Sequence, residues 1–141
     1  MSTRNKVLLI IIIVIAAVLI FGMTLIYRDY RQAISFGNRT QHEIAIKDYS
    51  SGQTMILGDE IIADVLLLLE TDIHFAGPCM QQEEIPLYDN GYCITVFSQN
   101  HIQQIFLGES QSHNYVYSDP FWIRTRCDED ILAYMDQLFT R

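Results

Sequence analysis

The chain has 141 residues, of which half are hydrophobic, and a formal net charge of −8 at neutral pH. This length suits one domain with an anchor and excludes a second hydrophobic core. The first 28 residues hold three of the nine basic residues and no carboxylate, so residues 29–141 carry seventeen carboxylates against six cations. An acidic domain repels phosphate backbones and anionic surfaces, which argues against DNA or RNA as a partner.

Residues 7–27 are predicted to form a transmembrane anchor. The segment from Val7 to Ile26 contains twenty residues without a charge, and fifteen of them are Val, Leu, Ile or Phe. At about 1.5 Å per residue, such a helix spans roughly 30 Å, the hydrocarbon thickness of a bilayer. A cleaved signal peptide has a shorter apolar core that ends in small residues, whereas Ala16 and Ala17 lie in mid-span. We therefore expect an uncleaved anchor in the membrane.

The orientation expected for this anchor keeps residues 1–6 in the cytoplasm and places the C-terminal domain outside the plasma membrane. Basic residues flank both ends of the span, so charge counting scarcely separates the two orientations. A short tail remains inside easily, however, and three cysteines beyond the span suit an oxidising compartment. Residues 28–41 are predicted to form a stalk, whose start can continue the anchor helix. Asn38 begins a glycosylation sequon that matters only in a eukaryotic secretory pathway.

Residues 42–141 are predicted to form one extracytoplasmic domain, which begins with a hairpin and a helix. Residues 43–47 alternate between polar and apolar, residues 54–57 are largely apolar, and turn-forming residues separate them, which predicts a β-hairpin. Asp59 then precedes a stripe of apolar residues at helical spacing. Because its carboxylate suits an N-cap, a helix is predicted over about 60–70.

The second half of the domain is predicted to contain short strands and a final helix. The β-like stretches are 73–76, 92–97, 102–107, 114–117 and 121–126. The spacing of the last four predicts an antiparallel meander. Apolar residues within 128–141 recur at the spacing of a helix that covers a sheet. The expected fold class is α+β, with a curved antiparallel sheet and two helices packed on one of its faces.

The order of anchor, hairpin, capped helix and meander, with the phrases YCITVF, QQIFLG, NYVY and DILAYMDQLF, resembles a known kind of protein. It is similar to the small membrane-tethered domains of unknown function that are common in Gram-positive bacteria. The similarity covers nearly the whole chain and lies in its layout rather than in signature residues. It implies a tethered extracytoplasmic domain and brings no established catalytic residues to carry over.

The three cysteines beyond the anchor, Cys79, Cys93 and Cys127, leave at least one thiol unpaired. Cys79 and Cys93 form the favoured candidate disulfide, because closing their loop of about 15 residues stabilises by about 3 kcal/mol in the chain-entropy model. Cys93 and Cys127 are too far apart on the meander unless the sheet curls. The alternative, that all three are buried thiols that pack as small apolar residues, stays open.

No sequence motif indicates a metal site, a cofactor or a catalytic centre. The four histidines have no H-x-x-x-H spacing, and no C-x-x-C pair is present. No cysteine has an adjacent His or Lys to lower its pKa. The carboxylates of residues 128–130 are those of a helix start, where they interact favourably with the helix dipole. We therefore expect a non-enzymatic domain without a cofactor.

One group of residues is typical of a binding surface. On the last predicted strand, Trp122, Arg124 and Arg126 share a face, because side chains alternate along a strand. Tyr115 or Tyr117 of the preceding strand is expected beside them. Aromatic and arginine side chains are enriched at binding hot spots. The alternative is plain packing of arginine over aromatic rings on a solvated sheet face.

The predicted function is binding of a protein or envelope component at the membrane, through the open face of the sheet. An anchor confines the search for a partner to the membrane surface and raises the effective concentration there. A structural subunit of a membrane complex, held by contacts of the anchor, is the alternative. An envelope enzyme that binds a small ligand is a third class.

Overall fold

The computed structural model shows a long N-terminal helix followed by a mixed α+β domain. It describes residues 1–36, 42–78, 90–98, 101–108, 114–118 and 121–140. The helices are α1 (Thr3–Ile34), α2 (Asp59–Asp72) and α3 (Glu129–Thr140). The strands are β1 (Glu43–Asp48), β2 (Thr54–Ile56), β3 (Ile73–Pro78), β4 (Gly91–Ser98), β5 (His101–Gly108), β6 (Asn114–Ser118) and β7 (Phe121–Cys127). The predicted fold class is confirmed.

Helix α1 contains the predicted anchor and is the one helix among the described residues that is long and apolar enough to cross a membrane. The Ser2 side chain accepts a hydrogen bond from the Asn5 amide at 3.4 Å and so caps the helix start. The most apolar stretch of the helix is not buried against any part of the protein. Such a helix is stable in lipid, where all its central backbone groups are paired within the helix.

The last turns of α1 belong to the hydrophobic core of the domain, which differs from the predicted stalk. Tyr30, Ala33 and Ile34 are buried, and Phe36 after the helix is buried with them. Their spacing places them on one side of the helix, which the sheet covers. Residues 28–36 are therefore part of the domain and not a stalk, and the rest of the predicted 28–41 segment lies outside the described residues, as does Asn38.

The seven strands form one antiparallel sheet in the order β2-β1-β4-β5-β6-β7-β3. The predicted hairpin is β1 with β2, and the predicted meander is β4 to β7. Two long-range pairings complete the sheet, since β1 lies beside β4 and β3 lies beside β7. The short strand β2 and the bulged strand β3 are consequently the two edges.

The main core lies on one face of the sheet, beneath α2, α3 and the end of α1. Two helices were expected on this face, and the end of α1 is a third element there. The strands contribute the apolar residues of one alternation phase: Ile44, Ile46, Ile94, Val96, Ile105, Leu107, Val116 and Ile123. The helices α2 and α3 contribute residues of their apolar stripes: Ile62, Val65, Leu66, Leu69, Ile131, Met135 and Leu138. Helix α2 begins at Asp59 with Gly58 as its N-cap, so Asp59 lies in the first turn and is not the cap that its sequence suggested.

Helix α1 enters the domain at the β3 edge and crosses the strands toward the opposite side of the sheet. The Tyr27 ring lies 5.4 Å from the Phe75 ring of β3, centroid to centroid. In the last turn, the Gln103 side chain of β5 donates a hydrogen bond to the carbonyl of Ala33 at 2.6 Å. The Phe36 ring then packs beside the ring of His42, the residue that precedes β1. The β3 edge is therefore the part of the sheet nearest to the anchor.

Candidate functional site

The face of the sheet opposite the main core carries the residues predicted to form a binding surface. No helix of the described part of the chain contributes to the side-chain cluster on this open face. A row of paired residues crosses it from β1 to β7: Lys47, Cys93, Phe106, Tyr115 and Arg124. Arg124 therefore lies directly across from Tyr115, and Trp122 lies across from Tyr117.

Trp122 is the centre of an aromatic cluster and not an exposed anchor for a partner. Its ring lies 4.7 Å from the Tyr117 ring and 5.1 Å from the Phe106 ring, centroid to centroid. Only 8% of Trp122 is exposed, and Cys93 and Phe106 are buried with it. Tyr115 is partly buried against the same group. The sequence was thus sufficient to predict that these residues share a face, whereas the burial of Trp122 depends on a ring from the adjacent strand β6 and on a second ring from β5.

Arg124 and Arg126 are the exposed members of the predicted surface. Arg126 pairs in register with His74 on the edge strand β3. The His74 Nε2 atom lies 3.2 Å from the Asp128 carboxylate, in an exposed pair. Exposed pairs of this kind contribute little to stability. The arginines therefore share this edge of the sheet with the Asp128 carboxylate, and a uniformly basic surface is not formed.

Carboxylates crowd together where α2 passes into β3 and β7 passes into α3. Burial, followed by the nearby charges of Asp128 and Asp130, raises the pKa of Asp72 above its ordinary value. Within the described ranges, no group of three His, Cys, Asp or Glu is arranged to hold a metal ion. This crowding is consequently a local electrostatic cost and carries no sign of a ligand.

Cys93 is a buried thiol that is not bonded to the other described cysteine, and the favoured disulfide with Cys79 stays a prediction. The thiol packs with Phe106 and Trp122 in the open-face cluster, while Cys79 lies outside the described residues. Burial raises the pKa of the Cys93 thiol, against smaller opposing effects of hydrogen bonding and of Lys47. A buried thiol with a raised pKa is a poor nucleophile, and it packs as the apolar residue of the alternative interpretation.

Cys127 is the second free thiol of the described chain and lies in the main core. The Asn114 side-chain amide donates to its sulfur at 3.4 Å. Burial, and then the charge of Asp128, raises the pKa of this thiol as well. The structure thus places Cys93 and Cys127 on opposite faces of the sheet, which excludes a bond between them in this fold.

A second feature of the open face was missed in the sequence. Three large apolar side chains are exposed at the end of the sheet far from the anchor: Ile56, Phe97 and Ile102, at 67%, 37% and 58%. Phe97 and Ile102 are direct cross-strand partners. We call these three residues the distal patch. Along β4 and β5, Phe97 and Ile102 lie on the same face of the sheet as the more polar Thr95 and Gln104. Apolar residues at positions of this mostly polar face were therefore the signal of the distal patch in the sequence.

A cleft of about 600 Å³ adjoins the distal patch. Its lining combines apolar and polar side chains: His42, Glu43, Ile56, Leu57, Asp59, Ile62, Phe97 and Ser98. The Nδ1 atom of His42 is buried and has no hydrogen-bond partner among the described residues. The His42 ring packs edge-on against Phe36, with ring centroids 6.1 Å apart. Exposed apolar side chains beside a cleft that also has polar lining residues are typical of an interaction site.

Comparisons with family models, with curated proteins and with solved structures give no match to this chain. The function proposed below therefore depends on the geometry of these residues.

Proposed function

We propose that the chain is a single-pass membrane protein whose exported domain binds a protein or another component of the cell envelope, without catalysis. Helix α1 crosses the plasma membrane with residues 1–6 in the cytoplasm. The length and apolar composition of α1 support the span. The strongly acidic domain, which the anionic cytoplasmic leaflet would repel, supports the proposed orientation.

The observation that carries the binding function is the exposure of the distal patch beside its cleft. Contiguous apolar side chains at a surface mark interaction sites when polar residues surround them. The rim here is supplied by His42, Glu43 and Asp59. A partner with an apolar side chain would cover Phe97 and Ile102, and polar groups of that partner would contact the polar rim.

The partner is expected to make its main contact at the distal patch, with Arg124 and Arg126 in a secondary role. Both arginines are exposed on the same open face, beside the partly buried Tyr115 and Tyr117. Exposed arginines change the association rate and its salt dependence more than the affinity. Alanine at Arg124 is therefore expected to weaken binding mainly at low ionic strength.

The experiment that tests this function uses a photoreactive phenylalanine analogue in place of Ile102 in the full chain in its native membrane. The matched control carries the analogue in place of Asp64, which is exposed on α2 behind the sheet. We expect a defined adduct from position 102, none from position 64, and loss of the adduct when Phe97→Ser is added. Equal adducts from both positions, or an adduct that Phe97→Ser leaves unchanged, contradict the proposed surface.

A structural subunit of a membrane complex is the second candidate, and the continuity of α1 favours it. Because the helix passes unbroken from the apolar segment into the core, contacts made by the anchor would orient the domain directly. Replacing residues 7–18 with an unrelated apolar sequence leaves the domain core intact and separates the two candidates. Loss of the adduct from position 102 favours the structural subunit, and its retention favours the binding domain.

A further inference from the structure

A second cleft, of about 440 Å³, lies in the corner between helix α1 and strand β3. Its lining is almost entirely apolar: Leu19, Ile20, Met23, Thr24, Tyr27 and Phe75. The hydroxyl of Thr24 donates to the carbonyl of Ile20 at 2.8 Å, so this polar group is already satisfied. Among these residues only Phe75 belongs to the sheet. We call this feature the corner cleft.

The position of Phe75 relative to the helix is held by several contacts. Its ring lies 5.4 Å from the Tyr27 ring and 5.5 Å from the Tyr30 ring. The Tyr30 hydroxyl, which is buried, donates to the carbonyl of Ile73 on the same strand at 2.7 Å. Strand β3 therefore packs against α1 through two ring contacts and a hydrogen bond.

The depth of the corner cleft follows from the helix geometry, and this step rests on the proposed membrane span. Leu19 is seven residues before Ile26, the last residue of the uncharged segment, which places it about 10 Å inside the end of that segment. Charge resumes at Arg28, which marks the level of the headgroups. The corner cleft thus opens into the outer part of the hydrocarbon layer, and Phe75 stands at its upper wall.

From this placement we infer that the domain is seated directly on the outer leaflet, with Phe75 at the boundary between headgroups and hydrocarbon and a lipid acyl chain in the corner cleft. The lining offers apolar surface and no charge, which matches an acyl chain. The cleft is continuous with the lipid-facing side of the anchor, where Leu19 and Ile20 are exposed. A second transmembrane helix is disfavoured, because the span has no small-xxx-small pattern for close helix packing.

Tryptophan substitutions in lipid vesicles test whether the domain lies directly on the outer leaflet with Phe75 at its boundary. The only native tryptophan is first removed by Trp122→Phe, and single tryptophans are then placed by Phe75→Trp, Leu19→Trp or Phe97→Trp. The vesicles are phosphatidylcholine with bromine atoms in the upper part of the acyl chains, which quench tryptophan on contact. We expect loss of fluorescence for the tryptophans at positions 75 and 19, and full fluorescence at position 97.

The outcomes separate this inference from the proposed function. Quenching at position 19 without quenching at position 75 overturns the seated domain and leaves the anchor in place. Absence of quenching at both positions overturns the anchor as well. Equal quenching at positions 75 and 97 shows a domain lying flat on the membrane. It overturns the inference that the domain contacts the leaflet at the β3 edge. Quenching at position 75 that weakens as the protein-to-lipid ratio rises assigns the corner cleft to a second copy of the chain.

A measurement on the unaltered chain covers the case in which Phe75→Trp does not fold. The wild-type protein is reconstituted with a phospholipid that carries a photoreactive group in the upper acyl chain, irradiated and digested. We expect label on the peptide that contains residues 73–78 as well as on the anchor. Label confined to the anchor overturns the inference.

Discussion

Replacing Tyr30 with phenylalanine tests whether the end of α1 is part of the folded domain. The substitution keeps the ring that packs against Phe75 and removes the hydroxyl that donates to the Ile73 carbonyl at 2.7 Å. That hydrogen bond is buried, and Tyr30 itself is almost fully enclosed. Deleting the donor leaves a buried carbonyl without this partner, which costs about 1–3 kcal/mol. The domain is therefore expected to lose a substantial share of its stability.

The free energy of unfolding is measured by urea denaturation of the full chain in non-ionic micelles. Trp122, the only tryptophan, reports on the sheet from within the open-face cluster. The matched control is Tyr27→Phe, one helical turn nearer the apolar segment, where about half of the residue is exposed. This control is expected to change the free energy by less than about 0.5 kcal/mol. The urea dependence of the free energy should be the same for both variants, because the surface exposed on unfolding is unchanged.

Equal effects of Tyr30→Phe and Tyr27→Phe would refute the reasoning. They would mean that the helix end is bound no more tightly than an exposed turn, and that residues 28–36 form the stalk expected from the sequence. A changed urea dependence for Tyr30→Phe alone would also contradict it, since the substitution would then alter the extent of folded structure.

Three further predictions concern the domain. Gln103→Leu removes the amide that bonds the last carbonyls of α1, so urea denaturation should show a loss of about 1–3 kcal/mol. Gly91→Ala should destabilise more than Gly52→Ala, because both glycines have positive φ but only the first would place a Cβ against a facing backbone carbonyl. Asp72→Asn should stabilise at neutral pH by less than about 1 kcal/mol, since the site is partly exposed, and this gain should disappear in acid.

The sign of the last effect follows from linkage. The pKa of Asp72 is raised in the folded state, first by burial and then by nearby carboxylates, so its contribution to stability is full below the unfolded pKa and is lost as the pH rises through the folded pKa. Asparagine mimics the protonated form at every pH. A gain for Asp72→Asn that persists in acid, or an equal gain for the exposed control Asp64→Asn, would contradict this explanation. For Gly91→Ala and Gly52→Ala, equal losses in the free energy of unfolding would contradict the prediction. They would show that the clash at Gly91 is relieved by movement of β5.

Local patterns were sufficient to predict most elements of the fold. The apolar stripe of α2, the alternation of β1 and the turn signals of the meander each lie within a few residues of one another, and all these elements are present. Pairing across long sequence separations was not predictable in this way. The position of β3 beside β7 depends on contacts between residues about fifty positions apart, such as Ile73 with Cys127.

The end of α1 shows why a local pattern was misinterpreted. Tyr30, Ala33 and Ile34 form a short apolar stripe, but Arg28, Asp29 and Arg31 surround it, and such a mixture is also typical of a solvated stalk. The decision between the two depends on the hydrogen bond and ring contacts that distant strands supply.

The candidate surface was predicted only in part for a related reason. Alternation along β7 placed Trp122 and Arg124 on one face, because that property needs only neighbouring residues. The exposure of each side chain depends on what the adjacent strands place beside it. Trp122 is covered by Phe106 and Tyr117, while Phe97 and Ile102 have no comparable cover. The apolar residues available to a partner were therefore not those that the sequence favoured.

Because helix α1 is unbroken, it sets the distance between the domain and the apolar segment. Ile34 lies eight residues beyond Ile26, so the end of α1 stands about 12 Å above the end of the apolar segment. A flexible linker would let the domain move through a wide volume, whereas in the proposed membrane span a continuous helix holds the domain within a narrow range of heights above the bilayer. Under the proposed function, a partner would therefore have to present its contact surface at this same height above the bilayer, so the length of α1 would limit which partners can bind.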